Sequence, residues 1–475
     1  MQKACISGIG GYLPLLRLDR KTAARNYAWS GLAMPRKGTR AVADWDEDPV
    51  TMAAESARAL VATAPAALRF ASTSAYFSDR SQAGIVLDYL ALPRSVRTTD
   101  AANARRAGTS ALLDSLLGGA DELVTAAEKR VTQAGSAAQL AYGDGAAAVR
   151  TGAEGAARLI GHASISHDLV DRYVSRDQPY PYVYEERFIR DIAVAEMFIP
   201  AIRAACEAAG IEGSAIAQAA CAEPAGGCWR AAAKKLGIAA PNHCERLSDE
   251  AGDLGAAHAL YGLGLAFAEA KPGDIVLLAG FGSGVDVLLF EVTGAVPGAA
   301  AMAAGLAEGR LLGDFLRFLN LSGSVDLDWG MRAEFGLKAQ ASMMERVGRD
   351  ITGFIGGRDS HGNVQFPKSA IPVNPAASGP ETYEDVRLAE DQARIVSVTA
   401  DRLTYHPDPP LDYGLVQFDN GARLLMEMVN RPDNGFAVGD RVMMRPRIKS
   451  QNRALGFRTY FWKAAPLSRP LLGDN

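Results

Sequence analysis

The sequence predicts an α/β layered domain followed by a small all-β domain. Residues 1 to about 295 alternate strand-like and helix-like stretches, the pattern of sheets covered by helices. Two segments in that part resemble each other, YGDGAAAVRTG (Tyr142 to Gly152) and GFGSGVDVLLFEVTG (Gly280 to Gly294). Each sets a glycine turn before an apolar strand ending in Thr-Gly, about 140 residues apart. From about residue 352 the chain changes to short strands separated by turn signals such as DNG and VGD.

Taken in order, ALRFASTSA reads as a strand and SQAGIVLDYLAL has helical spacing. ELVTAAEKR opens a strand, AAAVRTG closes one, and MFIPAIRAACEAAG is an amphipathic helix. The repeat predicts two similar halves, residues 1–155 and 156–295. Residues 296–350 are expected to be a linker with a helical segment. GAVPGAAAMAAGLAEGR there is small and flexible in composition, and FLRFLNLSGSVDLDWGMRAEFGLKAQASMMERVG is partly helical in pattern. Within residues 351–475, RIVSVTADRLTYH, YGLVQFDNGARLLMEMVN, DRVMMRPRI and FRTYFWKAAP supply roughly five strands in about 80 residues, a length that favours a small barrel.

Bulk properties narrow the function. The 475 residues suggest two to four domains, and 48% apolar with 22% charged residues is a soluble, globular balance. A net charge of −4 leaves no basic excess for nucleic acid. No run of about 18 apolar residues predicts a membrane span. The start, MQKACISGIGGYLP, lacks the signal-peptide pattern, so a cytoplasmic location is expected. The five cysteines, Cys5, Cys206, Cys221, Cys228 and Cys244, form no CxxC and read as buried thiols of a reducing compartment.

Several motifs of the first 295 residues fall in the order found in one family. CISGIGGYLPLLRLDR, DWDEDPVTMAAESAR, YGDGAAAV, AAAKKLG and AKPGDIVLLAGFGSG resemble hydroxymethylglutaryl-CoA synthase and the type-three ketoacyl synthases of the thiolase superfamily. The resemblance implies a five-layer α/β/α/β/α domain, a dimer-like contact across a central strand, and acyl-CoA as ligand. It also implies a Cys nucleophile within Asn-Ala-Cys. Here the matching stretch is NARRAGT, and the Cys position is Arg105. The chemistry needs a thiolate at a helix N-terminus, whereas a guanidinium is permanently charged and has no lone pair to offer. The family's His falls on Ala222 or Glu223, with Ala222 favoured by the Pro two positions on. Its Asn falls on Asp253 and its Glu on Thr73. No catalytic residue is therefore expected among these four positions. Neither Cys221 nor Cys228, flanking the lost His, reads as a substitute nucleophile.

GGRDSHGNVQFPKSAIPVNP, followed by the short strands, resembles the zinc-ribbon plus OB-fold proteins that accompany thiolase-superfamily enzymes. Such a ribbon carries two Cys pairs for a tetrahedral zinc. Here the pairs fall on Arg358 and His361, and near Ile371 and Asn374, so no zinc is expected. Val364, Phe366 and Ile371 are then expected to hold the ribbon by packing.

Other residues read as structural. YPYVYEERFIRD is expected to cover the acyl tunnel, His258 to be a core histidine, and Asp144 to serve its turn. Arg17, Arg20, Lys21, Lys234 and Lys235 are candidates for CoA phosphates, weighed against a solvated face.

These readings predict a degenerate, non-catalytic subunit of a heteromeric acyl-CoA thiolase or acyltransferase complex. It would scaffold a Cys-bearing partner, help to bind a coenzyme A thioester, and hold no covalent cofactor. The alternatives are a Cys-independent retro-aldolase on a hydroxyacyl-CoA, with Asp253 as the acidic group, and a hydroxymethylglutaryl-CoA synthase-like enzyme. A guanidinium buried near the positive end of a helix needs a carboxylate beside it. An Arg105–Asp253 ion pair plugging the site is therefore expected.

Overall fold

The computed structural model describes residues 4–183, 185–328, 340–375, 382–452 and 456–467. Nine strands form one mixed sheet: β1 (Cys5–Tyr12), β2 (Ala67–Ala71), β3 (Arg97–Ala101), β4 (Glu122–Glu128), β5 (Gly145–Gly152), β6 (Ala157–Ser166), β7 (Ile216–Cys221), β8 (Ile275–Phe281) and β9 (Gly284–Val292). Their order is β7-β8-β9-β6-β1-β5-β4-β2-β3. The strands β2, β3 and β4 are parallel neighbours, and β5 lies antiparallel between β4 and β1. The second half repeats this arrangement: β7 and β8 are parallel, and β9 lies antiparallel between β8 and β6. The two glycine-turn segments supply β5 and β9, the equivalent strands. In the sheet the halves meet through the pairing of β1 with β6, Cys5 with Arg158 and Ile6 with Ala157.

Side-chain alternation turns this sheet into layers, because neighbouring residues on a strand face opposite sides. In β5, Ala147 and Val149 enter one core while Ala146 and Ala148 enter another. In β8, Val276 and Leu278 face the first of these cores, and Leu277 and Ala279 face a third. Helices α1 (Pro49–Ala57) and α2 (Gln82–Tyr89) cover the outer face of the first half. Helix α3 (Ala107–Gly118) packs in the shared core. Helices α4 (Ile199–Ala209) and α5 (Cys228–Leu236) cover the outer face of the second half. Helix α6 (His258–Glu269) joins α3 between the halves. The close approach of α3 depends on Gly108, where a Cβ would stand 2.3 Å from the Ala256 carbonyl oxygen.

The stretch expected as a flexible linker is instead partly core. Helix α7 (Ala299–Ala307) buries Ala299, Met302 and Leu306 against α6, and Tyr261 donates to the Met302 carbonyl at 3.1 Å. Its small residues suit close packing as well as they suit flexibility, which is why composition misread it. Residues 329–339 of the stretch expected to be partly helical lie outside the described residues. Helix α8 (Gln340–Gly353) follows them.

A three-stranded sheet comes next, with β10 (Ile355–Arg358) between β11 (Val364–Gln365) and β12 (Glu384–Arg387). Val364 is buried and Phe366 packs edge-on to Phe354, as expected, but Ile371 is 78% exposed and contributes nothing to this packing. Then β13 (Ala393–Ile395), β14 (Thr399–Asp401), β15 (Leu411–Phe418), β16 (Arg423–Met428), β17 (Arg441–Asn452) and β18 (Phe457–Pro466) form a sheet in the order β13-β17-β18-β16-β15-β14. Pairing of β13 with β15 closes five of them into a small barrel. Its core residues Met444, Tyr460 and Trp462 are continuous with the outer core of the first half. Among the described residues no helix is long and apolar enough to cross a membrane, and no group of three or more His, Cys, Asp or Glu is placed to hold a metal ion.

Candidate functional site: an arginine-floored cleft

The candidate site begins where α3 begins. Arg105 and Arg106 precede its first turn, packed so tightly against the turn after β8 that a Cβ on Gly282 would lie 2.7 Å from the Arg105 amide nitrogen. The guanidinium of Arg106 turns away toward Asp286, at 3.2 Å. That of Arg105 lies over the Phe281 ring, 5.5 Å from its centroid, and forms an ion pair with Asp171. Burial, and after it the charge of Arg172, pulls the Arg105 pKa down to about 9, with Asp253 opposing. The group remains a cation at neutral pH.

The expected Arg105–Asp253 pair is not formed. Asp253 is taken by two other arginines. Arg130 Nη1 lies 3.4 Å and Arg172 Nη2 3.3 Å from its Oδ2, and Arg130 also donates to its backbone carbonyl. The Gly255 amide donates to Oδ1 at 2.8 Å. Both guanidiniums cover the Tyr142 ring, at 3.7 Å for Arg130 and 4.7 Å for Arg172, and Arg172 Nη1 donates to the Tyr142 hydroxyl at 2.6 Å. Burial pushes the Asp253 pKa up, but Arg130 and Arg172 outweigh it and hold the carboxyl well below the usual range. The physical reason for the exchange of partners is proximity: Arg130, just past β4, and Arg172 already surround the Asp253 loop, so Arg105 pairs with the neighbouring Asp171. Nothing in the local pattern of EKR or VDRYV signals these partners, because they meet only through long-range packing.

The other family positions are scattered. Thr73 follows β2, and its amide and hydroxyl donate to Glu128 Oε1 at 2.9 and 2.8 Å. The buried Glu128 also accepts from the Ala256 amide at 3.1 Å, so this carboxylate is spent on holding loops. Ala222 follows β7 with its amide bonded to the Ala279 carbonyl at 2.9 Å, and it packs into the central core rather than lining the cleft. Glu223 accepts from the Trp229 amide at 2.8 Å in the first turn of α5, and burial raises its pKa.

Arg105, Arg130, Asp171, Arg172 and Thr73 line one cleft of about 2040 Å³, larger than the roughly 300–1,000 Å³ of a small-molecule pocket. Pro181 of the aromatic-charged segment lines it, as do the preceding Pro179 and residues 320–323 and 325–328. The barrel completes the wall with His406, Lys449 and Arg458. None of the lining residues is a cysteine, and all five cysteines are buried. Burial pushes Cys221 and Cys244 well above, and Cys228 up to about 12.

Several structural readings change. Arg17 and Arg20 are turned inward onto backbone carbonyls. They are buried, with Arg17 donating to the Glu308 carbonyl at 3.0 Å and Arg20 to those of Leu140 and Ser248 at 2.7 and 2.8 Å. Lys21, Lys234 and Lys235 are exposed and outside the cleft. Asp144 ties two segments rather than its own turn, accepting from the Ala43 amide at 2.9 Å beside Arg40 at 3.7 Å. His258 is a core histidine with its pKa lowered by burial, accepting from the Leu254 amide at 3.2 Å. Of the ribbon positions, Arg358 lies 3.8 Å from Glu384, and the His361 amide donates to Asp359 at 2.9 Å.

Comparison with known proteins follows the same lines. No family model matches the chain. It is 29% identical over 321 residues to hydroxymethylglutaryl-CoA synthase of Aeropyrum pernix, covering 63% of this chain and 88% of that one. It is 27% identical over 324 residues to the same enzyme of Caldivirga maquilingensis, covering 64% and 92%. Among solved structures, an HMG-CoA synthase complexed with CoA superposes with a TM-score of 0.54 at 17% identity, over 67% of this chain and 87% of the other. The HMG synthase of the curacin biosynthetic pathway, in complex with an acetyl donor acyl carrier protein, gives 0.57 at 17%, over 73% and 95%. 3-Oxoacyl-(acyl carrier protein) synthase III of Pseudomonas aeruginosa gives 0.53 at 21%, over 62% and 100%. The fold is thiolase-like. Within that fold, the guanidiniums of Arg105, Arg130 and Arg172 gather at one end of the cleft.

Proposed function

We propose that this chain is a non-catalytic thiolase-fold subunit of a cytoplasmic acyl-CoA thiolase or acyltransferase complex. It binds a coenzyme A thioester in the arginine-floored cleft and scaffolds a Cys-bearing partner. One observation carries the reading: the start of α3 presents Arg105 to a cleft that no thiol lines. An acyl-enzyme needs a lone pair on a deprotonated nucleophile, and a guanidinium has none to give. Ala222 supplies no base behind it. The closed barrel beside the cleft supports the reading of an OB-type module. The open edge strand β3 is where a dimer-like contact would form.

The retro-aldolase reading needs a carboxylate able to accept a proton near neutral pH. Asp253, held well below the usual range by Arg130 and Arg172, is a poor base, and this counts against it. The similarity to hydroxymethylglutaryl-CoA synthases favours a synthase-like enzyme as the second reading.

Incubation of the purified chain with labelled acetyl-CoA, followed by intact-mass measurement, separates the readings. No adduct is expected, and a stable adduct on any of the five cysteines overturns the non-catalytic assignment. Arg105→Cys alone is expected to give no turnover, because nucleophile, base and oxyanion groups act as a unit. Purification with the native partner is expected to bring down a thiolase or acyltransferase subunit with an intact Cys and His.

A further inference from the structure

We infer that the floor of the cleft is a carboxylate receptor: the acyl end of the bound thioester carries a carboxylate, taken up by the guanidiniums of Arg105 and Arg172 with Arg130 behind them. This rests on the acyl-CoA reading above. Three guanidiniums and two carboxylates, Asp171 and Asp253, meet at the floor, which leaves it one positive charge in excess. A buried cation without a counter-charge is costly, so a site built this way favours an anionic occupant. Among the described residues, the Arg105 side chain meets a single carboxylate, Asp171, through Nη2. Its Nε and Nη1 donate to no other group there. A planar guanidinium edge with parallel N–H groups matches a carboxylate in a two-bond fork. The start of α3 adds the positive end of a helix to the same place.

The remaining charges do not cancel this excess: the buried Glu128, which acts on Arg130, is offset by Lys129, which lines the cleft and donates to the Asp44 and Glu47 carbonyls. Asp168, Asp326 and Asp328 are exposed, where water and salt screen them. The buried Asp48 and Asp144 have their own partners in Arg458 and Arg40. Above the floor, Val131, Val170 and Val174 line the cleft and are 46%, 52% and 58% exposed. Apolar side chains held open beside a cationic floor suit a methylene chain that ends in an anion.

Isothermal titration of the full, unaltered chain tests this with four probes: succinyl-CoA, pentanoyl-CoA, free CoA and succinate. Succinyl-CoA is expected to bind at least tenfold more tightly than pentanoyl-CoA or free CoA. Arg172→Gln or Arg105→Met, checked for folding by thermal melting, is expected to abolish that preference, so that succinyl-CoA and pentanoyl-CoA bind alike. Equal binding of succinyl-CoA and pentanoyl-CoA overturns the carboxylate receptor and leaves the acyl-CoA reading standing. Free CoA binding as tightly as succinyl-CoA overturns it too, by assigning the arginines to phosphates. Tight binding of succinate with no gain from the CoA portion supports the receptor and defeats the thioester reading. No binding of any probe defeats both.

Discussion

Two buried arginines of this chain, Arg447 and Arg105, sit in opposite electrostatic situations. Arg447, on the barrel strand β17, lies 3.5 Å from Asp46 and 3.1 Å from Glu47 of the thiolase-like part, with all three side chains at most 2% exposed. Lys463 joins them, 2.9 Å from Asp46 and 2.9 Å from Glu427. Burial lowers the Arg447 pKa, but Tyr12, Glu47 and Asp46 outweigh it and hold it well above the usual value. The Arg105 pKa moves the other way, because burial and Arg172 outweigh the carboxylates nearby. The first cluster is closed on itself and fastens the barrel to the body. The second faces a cleft with a cation in excess. The same residue type is a lock where carboxylates surround it and a receptor where they are outnumbered. This face of the barrel is thus docked against its own chain.

The contrast makes its largest prediction about stability. Arg447→Met leaves buried carboxylates without their counter-charge and is expected to cost about 3–5 kcal/mol in denaturant unfolding. Arg105→Met, which relieves an excess charge while freeing Asp171, is expected to cost about 1 kcal/mol. Equal losses would erase the distinction between lock and receptor. Double-mutant cycles sharpen it further: Arg105→Ala with Asp171→Ala is expected to couple by about 1–3 kcal/mol, and Arg105→Ala with Asp253→Ala by less than about 0.5 kcal/mol.

A pH series with Glu427→Gln as its control probes the closed cluster. Burial raises the Glu427 pKa, but Lys463 and Lys449 outweigh it and pull it to about 2, below its ordinary 4.5. A depressed carboxylate stabilises the fold above its unfolded pKa and loses that contribution as pH falls through the folded one. Unfolding free energy is therefore expected to drop by about 1–2 kcal/mol between pH 4.5 and pH 2 on account of this group, allowing for its partial exposure. Glu427→Gln should flatten that part of the profile, and an unchanged slope would remove Glu427 from the lock. The smallest effect expected is none: a chelator should leave the melting temperature of the purified chain unchanged, because packing around Val364 and Phe366 replaces the metal. A fall in melting temperature, or near one zinc per chain by elemental analysis, would refute this.

Local pattern alone determined much of this protein. Alternation and the glycine turns placed β5 and β9 in equivalent positions, since strand periodicity and a glycine-rich turn before the strand are features of a few consecutive residues. The spacing of NARRAGT likewise put Arg105 before α3. Tertiary structure decided the rest, because it depended on groups far apart in sequence. GAVPGAAAMAAGLAEGR became a core helix only because α6 offered a face for its small residues. Arg17 and Arg20 were buried only because distant backbone carbonyls met them. Asp253 went to Arg130 and Arg172 rather than Arg105 for the same reason: charges pair by distance in space, and the loops that bring them together are separated by 81 residues or more. Whether a buried arginine becomes a lock or a receptor is set by how many carboxylates the folded chain carries to it, and no stretch of sequence around the arginine records that number.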